Sequence, residues 1–149
     1  MEFPDTSTIQ FMNNYLIDTN TIIAFLHGNI DVDKRIANVG IKHCYVSEIT
    51  LCELYFGAYN IKDRYQQERE KEFKRIELLQ KKFPILGFKS SAELFGNIKA
   101  QLVKTGLIID EFDILIGSSA ITNGMIVVTD NVSHFSRIPG LKYENWLTR

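Results

Sequence analysis

Cysteine is scarce in this sequence of 149 residues: only Cys44 and Cys52 occur, in neither a CxxC redox spacing nor a zinc-ligand pattern. A disulfide framework is therefore not expected, which suits a reducing compartment. Proline is also scarce, with three residues, and no Pro/Gly-rich linker, repeat or low-complexity tract divides the chain. One domain spanning 1–149 is the expectation. No apolar run approaches the roughly 20 residues that a membrane span needs. The opening MEFPDTSTIQFMNNY has neither a basic n-region nor an apolar h-region, so no secretory signal is expected and a cytoplasmic location is the default. Net charge is only −1, so no global basic field advertises nucleic acid. The charge is uneven, however. Residues 62–82 hold eight Lys or Arg against five acids, whereas residues 1–61 hold three against seven. Any basic patch should involve the middle segment.

An apolar fraction of 45% and a charged fraction of 23% indicate a globular core. Tyr15-Leu16-Ile17 reads as a strand ending at Asp18, followed by a helix from Thr19 to His27 that Gly28-Asn29 closes. His43–Val46 predicts a second strand, after which Ser47 would cap a helix through Asn60 with Glu48 in its first turn. Residues 62–82 predict an amphipathic helix carrying Tyr65, Phe73, Ile76, Leu78 and Leu79. Pro84–Phe88 suggests a third strand, and Ser90 or Ser91 would cap a helix ended by Gly106. A helix over Phe112–Asn123, a β-branched strand at Met125–Val128 and a short strand near Leu141–Tyr143 complete the pattern. Strands alternating with helices imply an α/β fold with a parallel sheet covered on both faces. Strand order does not follow from pattern alone.

Three acids stand out by their company. Asp18 lies in YLIDTNTIIAFL, Glu53 in ITLCELYFGA and Asp113 in FDILIG. A carboxylate among apolar neighbours needs a cation, a hydrogen-bond network or a raised pKa. Asp18 ends the first strand and Glu53 follows the second, so both fall near the carboxyl ends of the strands, where open α/β sheets form sites. No Lys or Arg lies in the adjoining segments. Oxygen-only donors suit Mg²⁺ or Mn²⁺ rather than zinc, and such ions support phosphodiester cleavage.

Structural explanations compete with this one. Asp18 could serve only as a helix N-cap, and Asp110 with Asp113 could form a capping-box-like pair. Glu53 lies beyond its capping turn and is hardest to explain as structure. Ser47 reads as a cap, Trp146 as a packing anchor, and His27, His43 and His134 fit no Ser/His/Asp arrangement; His134 could shape a loop edge or touch a substrate. Among other acidic-pocket chemistries, an aspartyl-nucleophile hydrolase usually carries a second acid two residues after the first, where this chain has Asn20. A phospho-receiver domain would need a Lys ending a later strand, and none is present.

The stretches YLIDTNTIIAFLHGN, VSEITLCELYFGA and LIIDEFDILIGSSAITNGMIVVTDNVSHFSRIPGLKYENW resemble, in order and spacing, the PIN-domain ribonucleases, in particular the VapC-type toxins of toxin–antitoxin pairs. The resemblance implies a three-layer α/β/α sandwich with a parallel sheet ordered 3-2-1-4-5 and a homodimer. It implies Mg²⁺-dependent endonucleolytic cleavage of RNA, with Mn²⁺ able to substitute, and inhibition by an antitoxin docked beside the acidic pocket. Asp18, Glu53 and Asp113 would be the metal-binding acids, with Asn20 and Thr129 as supporting polar groups. The family's fourth position falls at Asn131 or at Asp130 beside it, with Asn131 in the better register. Asp110 reads as an N-cap before it reads as a ligand. The same fold also serves processing nucleases that are not toxins, or a non-catalytic protein-binding module.

Overall fold

The computed structural model describes residues 12–147. Its elements, in chain order, are β1 (Tyr15–Ile17), α1 (Thr19–Leu26), α2 (Ile30–Val39), β2 (Cys44–Ser47), α3 (Glu48–Tyr59), α4 (Gln66–Lys82), β3 (Ile85–Leu86), α5 (Ala92–Lys104), α6 (Glu111–Thr122), β4 (Ile126–Val128), α7 (Val132–Phe135) and β5 (Tyr143–Glu144). Five parallel strands pair in the order β3-β2-β1-β4-β5, the order the family resemblance implies.

Period-two alternation in the central strands creates the layers. Leu16 and Val127 point into one apolar cluster with Ile98, Leu102, Ile116, Phe135 and Ile138, beneath α5, α6 and α7. Ile17 and Val128, one residue further on, enter the opposite cluster with Ile22, Val32, Ile36, Leu54, Ile76 and Leu79. Strands buried on both faces need no polar alternation, which is why IVV and YLI are almost wholly apolar. Each of these central residues except Tyr15 and Ile126 is fully buried.

The helix boundaries follow from their caps. Ser47 Oγ accepts from the Ile49 N–H at 3.1 Å, and Asp110 Oδ1 accepts from the Phe112 N–H at 2.8 Å. Gly106 and Gly124 stop α5 and α6 with φ of +72° and +64°, a backbone region that disfavours side chains. Ser91 occupies the N-cap position of α5, but its hydroxyl is buried without a hydrogen-bond partner rather than bonded to the helix.

Four expectations need correction. Gly28-Asn29 is more than a helix stop, because Asn29 Oδ1 accepts from the Val32 N–H at 3.1 Å and starts α2, a helix the pattern reading missed. In the 62–82 segment the helix begins at Gln66 after a 3-10 turn over Asp63–Tyr65, and Leu78 is 53% exposed while Ile76 and Leu79 are buried. The last strand is Tyr143–Glu144 rather than Leu141–Tyr143. The short α7 was not anticipated.

Candidate active site

The site lies at the carboxyl ends of the central strands, where β1 and β4 run out side by side. Asp18 directly follows β1, and its N–H donates to the Val128 carbonyl at 2.9 Å, so the sheet holds its backbone in place. The residue is only 4% exposed. Oδ1 accepts from the Thr19 N–H at 2.7 Å and Oδ2 from the Thr129 hydroxyl at 2.9 Å. Capping and site membership are therefore not alternatives for Asp18, because one oxygen caps α1 while the other faces Thr129. Burial raises its pKa from 3.8 to about 6 against those two hydrogen bonds, and the charges of Asp113 and Glu53 push in the same direction as burial.

Glu53 approaches from the second turn of α3. Thr19 Oγ1 donates to Glu53 Oε1 at 2.8 Å, which leaves the Thr50 hydroxyl, 3.0 Å away, to donate to Thr19. Glu53 is half-buried, and Cys52 and Tyr55 around it are exposed, so it is not enclosed in the apolar setting its sequence neighbours suggested. Asp18 is the deepest of the three acids. Burial raises the Glu53 pKa, with Asp113 and Asp110 adding to the effect and Thr19 opposing it.

Asp113 comes from the first turn of α6. Its Oδ2 accepts from Asn131 Nδ2 at 3.2 Å and contacts His134 Nδ1 at 3.0 Å, so it does not back-bond to Asp110 as a capping box would require. Burial again raises its pKa; the His134 hydrogen bond opposes this and the Asp110 charge reinforces it. Thr129 links the two halves, donating to Asp18 while its Oγ1 accepts from the Asn131 N–H at 2.9 Å.

Of the other residues singled out in the sequence, Asn131 reaches the cluster through its side chain. Asp130 is half-buried between Thr129 and Asn131. Asp110 caps α6 and contributes its charge to the site rather than a contact. Asn20 is exposed on the first turn of α1 and makes no hydrogen bond to the acids. Trp146 packs in the core, with its ring 5.1 Å from that of Tyr15. Thr19 and His134 were missed as partners of the acids, and Thr50 as the partner of Thr19.

Among the described residues no Lys or Arg pairs with Asp18, Glu53 or Asp113. No hydrogen bond among those residues reaches Asp113 Oδ1 or Glu53 Oε2. Among the described residues no group of three or more Asp, Glu, His or Cys side chains is placed closely enough to hold a metal ion as it stands. The acids stand open and mutually repelling, each propped by hydroxyl, amide or imidazole groups. All-oxygen donors with raised pKa values and two free oxygens fit a hard divalent cation, whose charge would reverse the repulsion.

A PIN-domain family model matches residues 15–141, a stretch that contains all three acids. The chain belongs to the PIN-domain family. Among relatives of this PIN domain, Ribonuclease VapC2 of Haemophilus influenzae is 37% identical over 138 residues, covering 91% of this chain and 100% of the relative. The tRNA(fMet)-specific endonuclease VapC of Salmonella typhimurium is 29% identical over 136 residues, covering 91% and 99%. Among solved structures, a chain of the DNA-bound VapBC crystal structure from Salmonella typhimurium superposes with a TM-score of 0.81 at 29% identity, covering 91% of this PIN domain and 100% of that chain. VapBC2 from Rickettsia felis, bound to a promoter DNA fragment, gives 0.78 at 26% identity and 89% and 98% coverage.

Proposed function

We propose that this chain is an endoribonuclease of the VapC type, a single PIN-like unit whose acids Asp18, Glu53 and Asp113 hold Mg²⁺, or Mn²⁺ in its place, to hydrolyse RNA. The observation that carries this reading is the convergence, at the carboxyl ends of the central strands, of three acids with raised pKa values and no Lys or Arg partner. Such repulsion is costly unless a cation relieves it, and it is the arrangement an ion-dependent site needs. The ribonuclease names of relatives that match nearly end to end support the same reaction.

When bound, the ion supplies positive charge for the phosphate oxygens and lowers the pKa of a nearby water. The protein's own groups do the rest. Thr129 and the Thr19 N–H fix both oxygens of Asp18, so its carboxylate is held without rotamer freedom. Thr19 turns Glu53 toward the pocket by one oxygen, leaving Oε2 free to bind the ion or to hold a water. Asn131 and His134 hold Asp113 from α7 and its cap. In-line attack of water on phosphorus would leave a 5′-phosphate and a 3′-hydroxyl.

The basic residues of α4 contribute less to RNA steering than their number suggests. Arg69, Lys71, Arg75 and Lys81 pair with Asp63, Glu68, Glu72 and Glu77. Lys62 and Arg64, at the start of that segment, have no acid partner among these ion pairs, and Arg64 lies over the Tyr65 ring at 4.8 Å. Unpaired in this way, these two are better candidates for phosphate contacts than the ion-paired residues of α4.

By analogy with its VapBC neighbours we further propose a cytoplasmic toxin that acts as a homodimer, reduces translation by cutting RNA, and is held inactive by a small antitoxin. No helix among the described residues is long and apolar enough to cross a membrane. The test is induction in cells followed by sequencing of RNA 5′ ends, beside Asp18→Asn. New 5′-phosphate ends and growth arrest, absent in the variant and suppressed by a small neighbouring open reading frame, are expected. New ends without growth arrest would favour a processing nuclease. Identical ends in both strains would refute the assignment.

A further inference from the structure

The segment that follows β4 carries more of the site than its acids. Thr129, Asn131 and His134 form a continuous polar chain: Thr129 bonds Asp18, Asn131 N–H bonds Thr129, and Asn131 and His134 both reach the same oxygen of Asp113. Phe135, the next residue, is fully buried in the cluster beneath α6 and fixes α7 against the sheet. His134 is thus held from behind, with its side chain 37% exposed at the pocket rim and that of Asp113 16% exposed. An ionised carboxylate only accepts, so Nδ1 must be the donor to Asp113 Oδ2. The second oxygen, Oδ1, has no hydrogen-bond partner among the described residues.

We infer that His134 is a positioning residue: with Asn131 it occupies Oδ2 of Asp113 and so presents Oδ1 alone to the divalent cation. This rests on the metal-dependent reading above. A carboxylate tethered by one oxygen cannot swing, and an ion then meets a single preset oxygen instead of a rotating pair. Two donors on one oxygen hold its plane better than either alone. His134 also ties α7 to α6 across a gap that no other hydrogen bond from α7 side chains spans among the described residues.

The test compares the parent with His134→Ala and His134→Asn, whose amide can place a donor near the Nδ1 position. Mn²⁺ affinity is measured by calorimetry on the purified full chain, with apo unfolding as the folding control. His134→Ala should weaken Mn²⁺ binding about 10-fold, the scale typical of losing a group that orients a ligand. His134→Asn should recover most of that loss, and kcat for RNA should follow Mn²⁺ affinity while KM stays constant. A parent-like Mn²⁺ affinity in His134→Ala overturns the inference, and so does equal loss in both variants. A parent that binds no Mn²⁺ refutes the metal reading itself, which separates the two failures. Independently of any variant, ¹⁵N shifts of the His134 ring in the apo protein should show a protonated Nδ1. An unprotonated Nδ1 also overturns the inference.

Discussion

Replacing Asp18 by Asn should make the metal-free protein more stable at neutral pH, although it removes one of the proposed metal-binding acids. Asp18 is 4% exposed, and burial raises its pKa from 3.8 to about 6. That gap corresponds to about 3 kcal/mol of native-state penalty on the ionised form. The sign follows from proton uptake. With the native pKa raised, the native state binds more protons than the unfolded chain, so this group's stabilising contribution is complete below pH 3.8 and is lost as pH rises through about 6. At pH 7.5 the full penalty acts on the parent, whereas Asn carries no charge. Asn also keeps an Oδ1 acceptor for the Thr19 N–H, and Thr129 can turn its hydroxyl to accept from the new amide. Allowing for imperfect repair of that second bond, a gain of about 1–3 kcal/mol is expected, or on the order of 5 °C in Tm for a chain of this size. Thermal unfolding in EDTA at pH 7.5 and pH 4.5 reads it out. The advantage should shrink by about 2 kcal/mol at the lower pH. A variant that is less stable than the parent at pH 7.5, or an advantage that ignores pH, would refute the reasoning.

Other expectations follow from the same geometry. Mn²⁺ or Mg²⁺ should raise the Tm of the parent in a concentration-dependent way, by about 2.7 kcal/mol of added stability at 100 times Kd, and should leave Asp113→Asn nearly unmoved in the same scan. Asp110→Ala should cost about 1 kcal/mol through loss of the α6 cap, whereas Asp110→Asn should keep the cap and lower the Glu53 and Asp113 pKa values, measurable by carboxyl NMR titration. Phe135→Ala should lose about 3–5 kcal/mol in denaturant unfolding, because the side chain is fully buried beneath α6. Gly117→Val should lose about 1–3 kcal/mol in the same assay, since even a single added Cβ would stand 2.7 Å from Ile138 Cδ1 in packed surroundings.

The layered fold was legible in the sequence because its signals are local. Leu16-Ile17 and Val127-Val128 are apolar on both faces, Ser47 marks a helix start through its hydroxyl, and Gly106 and Gly124 mark helix ends through their backbone freedom. The helix α2 was missed although its signals are local too: Asn29 at the cap, Asp31 and Asp33 in the first turn, and Val32 and Ile36 one turn apart. Reading Gly28-Asn29 only as a stop hid the start that shares it. In the site, the acids announced themselves by their apolar company, but that company misranked them. Cys52 and Tyr55 beside Glu53 face outward, so it is half-buried, while Asp18 is enclosed by two strand ends. His134 lies 21 positions from Asp113, on a four-residue helix, and only tertiary structure brings the pair together. Thr19 looked like the first residue of a helix, and its contact with Glu53 spans 34 positions.

The central claim is that these three acids make an ion-dependent RNA-cutting site. Its most direct test is incubation of purified protein with end-labelled single-stranded RNA, with Mg²⁺ or with EDTA, alongside Asp113→Asn. The account predicts cleavage to 5′-phosphate fragments only for the parent and only with the ion. Cleavage that persists in EDTA, or undiminished cleavage by Asp113→Asn, would contradict it.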